Sequence, residues 1–249
     1  MKLYLMNKSY VAVLMFVLFI QACDEKKVED SFTLNFKAKF ENQAFQTGKE
    51  FTDASGKKWK IDDLNFYFSN LRLIKQDGAE VTLTELGYTS FKDAATTTFK
   101  FNDIPLGKYT GVKFNAGLTP AQNDVNPNFL ADNDVRLNTT FWEWLKYIFI
   151  RLEGRADLNK DSNFETLLVY HIGTDELMRE VFINSSFDIN AGDFQKNILI
   201  ELDKAFSISP GLDIAVYQQS YTHSDPKVID NFPTAIIFAD NFSKSFSLE

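Results

Sequence analysis

The sequence predicts an all-β fold, a β-sandwich of antiparallel strands with long connecting loops. Apolar residues alternate with polar ones through residues 32–40, which is typical of a strand with one buried face. Asp77-Gly78 separates two strand-like runs at 64–74 and 81–83, and Asp-Gly favours a tight hairpin. Further short strand-like segments recur along the chain at residues 97–101, 109–115, 166–171, 181–189, 196–202, 212–218 and 235–248. Repeated short strands separated by turns are typical of a β-sandwich.

Helical signals are weak by comparison. No segment combines strong helical periodicity with caps, and short helical turns are expected only near residues 119–130 and 203–206. Residues 119–140 form the longest irregular stretch and are rich in Asn, Asp and Pro, which favour turns. Because so long a loop inside a compact domain often has a functional role, it is a candidate functional segment.

The N-terminus is typical of an export signal. Lys2 and Lys8 precede the unbroken apolar run at 10–20, which is shorter than the roughly 20 residues that a membrane-spanning helix needs. The run ends in Gln21-Ala22-Cys23, which resembles the lipobox of bacterial lipoproteins. We therefore expect residues 1–22 to be a lipoprotein signal peptide, 23–31 a charged tether from lipidated Cys23, and 32–249 the sandwich domain. Cys23 is the single cysteine, so the core must be stable without disulfides.

The charge of the chain argues against nucleic-acid binding, and its motifs argue against catalysis. Without residues 1–22, 24 Lys and Arg residues oppose 34 Asp and Glu residues, giving a net charge of −10. An acidic protein lacks the basic surface that nucleic acid requires, whereas it attracts cations. No nucleophile elbow, zinc-protease motif or phosphate-binding loop is present, and Asp62 and Asp63 would point to opposite faces of a strand. We therefore expect a protein that is not an enzyme and that meets the membrane only through its lipid anchor.

The aromatic segment at residues 141–147 contains two tryptophans. Trp142 and Trp144 would share a face if this segment were extended. Core packing explains such a pair, and so does a surface platform for a ligand or a chemically modified tryptophan. The sequence leaves these alternatives open.

Both histidines of the chain follow strand-like segments. His171 ends one such run, and His223 follows another. Imidazole is a common ligand for copper and zinc, and residues at strand ends can converge on one rim of a sandwich. The competing interpretation is two unrelated hydrogen-bonded or surface residues.

A third candidate is a run of oxygen-bearing side chains at alternate positions. Asp157, Asn159, Asp161 and Glu165 fit the first half of a calcium loop. Ser162 stands where glycine is usual, and Leu168 stands where the bidentate glutamate is usual. A calcium site and a simple polar turn are therefore both compatible with this segment.

Taken together and in order, several segments resemble the MbnP-like copper-binding protein family, which includes many Bacteroidetes lipoproteins. The matching segments are Phe66-Tyr67-Phe68-Ser69-Asn70-Leu71, Gly107-Lys108-Tyr109, Phe114-Asn115-Ala116-Gly117, Phe141-Trp142-Glu143-Trp144, Leu152-Glu153-Gly154, His171-Ile172-Gly173, His223 and Ala239-Asp240-Asn241-Phe242. The resemblance implies an extracytoplasmic β-sandwich that binds copper. It implies His171 and His223 as the metal ligands, and Trp142 or Trp144 as a residue oxidised to kynurenine by a dihaem MbnH-type peroxidase.

The sequence thus predicts a lipoprotein of the cell envelope, anchored in the outer membrane, that binds copper for capture or handling. The alternative is a surface lipoprotein that binds a glycan or a protein partner through an aromatic platform. Any calcium would then have a structural role.

Overall fold

The computed structural model describes residues 31–143, 145–221 and 232–249. It contains fourteen strands and three α-helices in these ranges. The strands are β1 Ser31–Phe40, β2 Gln43–Ala44, β3 Glu50–Thr52, β4 Lys58–Lys75, β5 Glu80–Ser90, β6 Thr98–Asn102, β7 Gly107–Ala116, β8 Phe141–Trp142, β9 Lys146–Asp157, β10 Thr166–Gly173, β11 Arg179–Ile189, β12 Phe194–Glu201, β13 Gln219–Tyr221 and β14 Phe246–Leu248. The helices are α1 Pro120–Asn123, α2 Lys204–Ser207 and α3 Phe232–Ser243.

Two sheets form a sandwich, as the sequence predicts. The smaller sheet has the order β14-β12-β1-β2, with β6 also pairing with β1. The larger sheet has the order β11-β7-β4-β9-β10-β13, with β3 and β5 pairing with β4 and β8 pairing with β9. Most pairs are antiparallel, but β1–β12 and β10–β13 are parallel.

Phenylalanine rings fill the space between the sheets. Phe36 on β1 contacts Phe66 and Phe68 on β4, with ring centroids 5.5 and 5.0 Å apart, and also Phe99 on β6 and Phe114 on β7. These rings therefore join both sheets, and the abundance of phenylalanine reflects an aromatic core.

The predicted C-terminal strand at 235–248 is wrong for most of its length. Residues 232–243 form helix α3, and only Phe246–Leu248 are a strand. The buried residues Phe232, Ala235, Phe238, Ala239 and Phe242 follow helical spacing, and their contacts with the core favour the helix. The expectation that the chain has no regular helix is therefore also wrong.

The predicted strand at 212–218 is wrong as well. The Asp213 side chain accepts a hydrogen bond from the Ala215 amide, and the Asp213 carbonyl accepts bonds from the amides of Val216 and Tyr217. An aspartate side chain that accepts a hydrogen bond from the backbone amide two residues later favours a turn over a strand. The paired strand β13 begins only at Gln219.

Helix α3 fixes the segment that leads into β13. The buried Asn241 amide donates hydrogen bonds to the carbonyls of Ile208 and Pro210, at 2.9 and 3.0 Å. The Tyr170 hydroxyl of β10 donates to the Tyr217 carbonyl, and the Phe238 ring stacks on Tyr170. The segment at residues 208–217, which precedes β13, is thereby held beside β10, where the candidate histidine lies.

No helix among the described residues is long and apolar enough to cross a membrane. The predicted signal peptide, Cys23 and the tether as far as residue 30 lie outside the described residues. Ser31, at the end of the predicted tether, is the first residue of β1.

Candidate metal centre

His171 lies near the end of β10, on the larger sheet. Its Nε2 atom is 2.7 Å from Oε1 of Glu153 on the neighbouring strand β9. The His171 side chain is 13 % exposed and that of Glu153 is 30 % exposed, so the imidazole is the more shielded of the two. A carboxylate at Nε2 favours the tautomer with its proton on that nitrogen.

Glu153 is shared between His171 and Arg151. The same Oε1 atom accepts hydrogen bonds from Arg151 Nε at 2.8 Å and from Arg151 Nη2 at 2.7 Å. Burial alone would raise the pKa of Glu153, but the hydrogen bonds from His171 and Arg151 outweigh it and hold the pKa below its ordinary value. Glu153 is therefore a carboxylate that stays ionised at neutral pH.

A second carboxylate, Asp63 on β4, completes this polar cluster. It accepts a hydrogen bond from Asn65 Nδ2 at 2.9 Å, pairs with Lys92 Nζ at 3.0 Å, and lies 3.8 Å from Arg151 Nε. Asp63 is buried whereas Asp62 is exposed, and the register with β9 shifts between Ile61 and Asp63. Lys92, Asp63, Arg151 and Glu153 thus form a chain of ion pairs that ends at His171.

The register of the strands places this cluster. Arg151 on β9 is the cross-strand partner of Asn65 on β4 and of His171 on β10. Gly154 allows the close approach of β9 to β4, because a Cβ atom there would lie 2.4 Å from the Lys60 carbonyl oxygen. The Glu153-Gly154 pair therefore combines a carboxylate for His171 with the space that the neighbouring strand needs.

The last strand pair of the larger sheet, β10 with β13, ends two residues before the second histidine in the sequence. Strand β13 runs parallel to β10, and its last residue, Tyr221, is the register partner of His171. His223 follows Tyr221 by two positions in the sequence and lies outside the described residues.

The tryptophan segment forms a hairpin at the N-terminal end of β9. Trp142 pairs with Lys146, and the Leu145 amide donates to the Trp142 carbonyl at 3.1 Å, which closes a tight turn. Trp142 thus ends the two-residue strand β8 at a turn. Trp142 is half-buried, and Trp144 lies outside the described residues. Trp142 pairs with Lys146 and His171 pairs with Arg151. These two positions of β9 are five residues apart, which corresponds to roughly 17 Å along the strand.

The long loop at residues 119–140 packs against this hairpin. The Tyr147 hydroxyl donates to the Val125 carbonyl at 2.9 Å, and Asn126 Nδ2 donates to Glu143 Oε1 at 3.2 Å. The buried Tyr67 side chain makes 2.9 Å bonds to the Arg136 carbonyl and to Thr139 Oγ1. The short helical turns expected near residues 119–130 are confirmed by α1 and by the 3₁₀ turn at Pro127–Phe129. A further 3₁₀ turn at Val135–Asn138 lies outside that predicted range.

An ion pair ties the loop together. Asp134 accepts bonds from Arg136 Nε at 2.9 Å and Nη2 at 2.7 Å, and Arg136 Nη1 donates to the Gln122 carbonyl. The hydrogen bond from Arg136 holds the pKa of Asp134 below its ordinary value, against a smaller opposing effect of burial.

We expect Asp134→Asn to destabilise the protein at neutral pH and much less in acid. Because the folded-state pKa of Asp134 lies below its unfolded value, its stabilisation is present above that unfolded value and is lost as pH falls through the folded pKa. Urea unfolding of wild type and variant at about pH 7 and about pH 3 measures the difference. A difference in unfolding free energy that does not shrink in acid would contradict the prediction. The exposed Asp132→Asn is the control within the same loop.

The predicted calcium residues form a compact polar turn. Buried Asp157 accepts hydrogen bonds from the amides of Ser162 and Asp161, at 2.8 and 3.2 Å. Ser162, where a calcium loop has glycine, adopts a φ of 72°. Asn159, Asp161 and Glu165 are exposed.

Two lysine ammonium groups lie at this turn. Lys58 Nζ is 2.9 Å from Ser162 Oγ, and Lys160 Nζ is 2.8 Å from the Ser55 carbonyl. Among the residues that the structure describes, no three His, Cys, Asp or Glu side chains are grouped to hold a metal ion. Hydrogen bonds within the turn account for its shape, and calcium binding stays a prediction.

The MbnP family profile matches residues 29–224. This chain belongs to the MbnP family. The solved structure of MbnP from Methylosinus trichosporium is similar in fold, with a TM-score of 0.60 and 13 % sequence identity over 88 % of this chain and 98 % of that one. At this identity the likeness shows the fold, and it confirms the predicted sandwich. No curated protein matches the sequence.

The sequence of this MbnP-family chain predicts His171 but not its partners. Glu153 lies within a segment that resembles the family, but the sequence predicts no role for it, nor for Arg151 or Asp63. A carboxylate directly before a strand glycine is the signal that could have indicated Glu153. The register that brings these side chains together is visible only in the structure.

Proposed function

We infer that this chain is an envelope lipoprotein that binds copper for capture or handling and is not an enzyme. The observation that carries this proposal is the Glu153–His171 pair, a shielded imidazole oriented by a carboxylate 2.7 Å away. Carboxylate–histidine pairs of this kind orient metal-ligating imidazoles in many proteins. Membership of the MbnP family supports the same function.

The donor chemistry suits copper. With the proton of His171 on Nε2, the lone pair that binds metal is on Nδ1. Oε1 of Glu153 already accepts bonds from His171 and Arg151, so we assign this carboxylate to orientation and not to ligation. A neutral imidazole is a good copper ligand, and His223 is our second ligand.

Two further elements belong to this proposal. Lipidated Cys23 would anchor the protein at the outer membrane, on its periplasmic or surface side. A dihaem MbnH-type peroxidase would oxidise Trp142 or Trp144 to kynurenine, whose amine and ketone would add donors that an intact indole lacks. The net charge of −10 in the mature chain attracts cations to the surface.

The test uses the mature lipidated protein, purified from its own host. Elemental mass spectrometry measures bound copper and calcium, and peptide mapping measures the masses of the Trp142–Trp144 segment and of the N-terminal Cys23. We expect about one copper per chain and a diacyl or triacyl mass on Cys23. An oxidised tryptophan would support the peroxidase as partner, whereas intact tryptophans with copper would support a histidine site alone. Calcium alone, or no metal after copper addition, would overturn the copper proposal.

An exposed aromatic residue favours a second candidate, a docking surface for a protein partner. Phe129 is 84 % exposed, and Leu137 of the same loop is also exposed. Hydrogen bonds of the Phe129 and Leu130 amides to Asn126 and Pro127 fix this turn, so the ring is presented at low entropic cost. The same metal measurement separates this candidate from the first, because docking requires no copper.

A further inference from the structure

Two positively charged residues lie directly opposite each other on the outer face of the larger sheet. Lys60 on β4 and Arg155 on β9 are register partners, and their sequence neighbours Trp59 and Ala156 are buried in the core. Like charges at such cross-strand positions destabilise a sheet. None of the ion pairs among the described residues includes Lys60 or Arg155, so within this part of the chain no carboxylate neutralises either cation by direct contact.

The acidic residues on neighbouring positions are engaged elsewhere or exposed. Glu153 and Asp157, two residues before and after Arg155 on β9, already accept hydrogen bonds from other groups. Glu50 on β3 is the second register partner of Lys60, but it is exposed and, in the region that the structure describes, forms no ion pair. A local rule that is broken without a compensating contact inside the protein is typical of a functional position.

Exposed apolar side chains border this pair. Leu167 on β10 is the register partner of Arg155 on the side away from Lys60, and it is exposed. Tyr217 is exposed as well, and the Tyr170 hydroxyl, which donates to the Tyr217 carbonyl, holds that residue beside β10. Arginine and aromatic residues are enriched in protein interfaces. Two adjacent cations with an apolar border are therefore complementary to a chain segment that carries both carboxylate and apolar side chains.

We propose that the surface formed by Lys60, Arg155, Leu167 and Tyr217 binds an extended acidic segment of a protein partner. Arg155 presents a planar fork of donors that matches a carboxylate, and Lys60 adds a second positive charge beside it. Neighbouring strands are about 4.8 Å apart, so Leu167 lies roughly 7 Å from the midpoint between the two cations. Side chains two residues apart in an extended segment are also separated by roughly 7 Å. The surface therefore selects a carboxylate followed two residues later by an apolar side chain, and this binding requires no copper.

The test measures binding of dye-labelled peptides to the mature protein by fluorescence anisotropy. The probe is Ser-Glu-Ser-Leu-Ser, which has the required spacing. We expect Ser-Gln-Ser-Leu-Ser to bind at least about tenfold more weakly, because a charge-assisted contact is lost. Ser-Glu-Leu-Ser-Ser is expected to bind more weakly too, because its two side chains lie on opposite sides of an extended chain.

Arg155→Gln is expected to weaken the glutamate peptide about tenfold and to leave the glutamine peptide unchanged. Damage to the fold would weaken both peptides, so this difference reports a direct contact. Leu167→Ala is expected to weaken both, because the apolar contact is common to them. Lys100→Gln is the matched control, since Lys100 is an exposed strand residue of the smaller sheet, and we expect no change. The proposal is wrong if wild type binds neither peptide or both equally, or if Arg155→Gln behaves like Lys100→Gln.

Discussion

Replacing His171 with alanine is expected to weaken copper binding at least about a hundredfold, which corresponds to roughly 2.7 kcal/mol. The change removes the one described imidazole that a carboxylate orients for a metal. It also leaves Glu153 paired with Arg151, so the rest of the cluster keeps its charge balance. Competition titration with a chelator of known copper affinity measures the loss, and circular dichroism checks that the variant is folded.

Two further variants define the site. His223→Ala is expected to weaken copper binding in the same way if both histidines are ligands. Asp161→Asn is the control, because it alters the polar turn at residues 157–165 and leaves the Glu153–His171 pair intact. Wild-type affinity in both histidine variants would place the copper site elsewhere. A loss in Asp161→Asn alone would point to the polar turn as the cation site.

Strand β1 was predicted well because it has one buried face. In β1 the side chains alternate between buried and more exposed positions, so periodicity alone identifies it. Strand β9 lies between β4 and β10 and is buried in a continuous run from Tyr147 to Ile150, so alternation does not reveal it. The errors at 212–218 and 235–248 have local causes, an aspartate turn and a helix whose aromatic residues also suit strands.

The candidate site could be predicted only in part. Imidazole chemistry makes His171 and His223 candidates, and the resemblance to the MbnP-like family implies them as metal ligands. Neither argument needs a structure. Their surroundings depend on which strands pair and in which register. Asp63, Arg151 and His171 are far apart in the sequence, and they meet because β4, β9 and β10 are neighbours. Single-sequence patterns do not determine such pairing.

Replacing Phe36 with alanine is expected to lower the free energy of unfolding by about 3–5 kcal/mol. The ring is 2 % exposed and contacts phenylalanines from both sheets, so its loss opens a cavity at the centre of the sandwich. Because rigid strands flank the space, the cavity cannot collapse fully. A typical domain has only about 5–15 kcal/mol of stability, so the loss would be a large fraction of the total.

Urea unfolding followed by fluorescence or circular dichroism measures this change. Phe129→Ala is the matched control, since the same side chain is removed from an exposed position, and its effect is expected within about 0.5 kcal/mol. Equal effects of the two substitutions would contradict the assignment of Phe36 to the centre of the core. Cys23 is the single cysteine and the chain has no second thiol to pair with it, so no intramolecular disulfide can offset the loss. The stability of this sandwich must therefore come from packing such as that around Phe36.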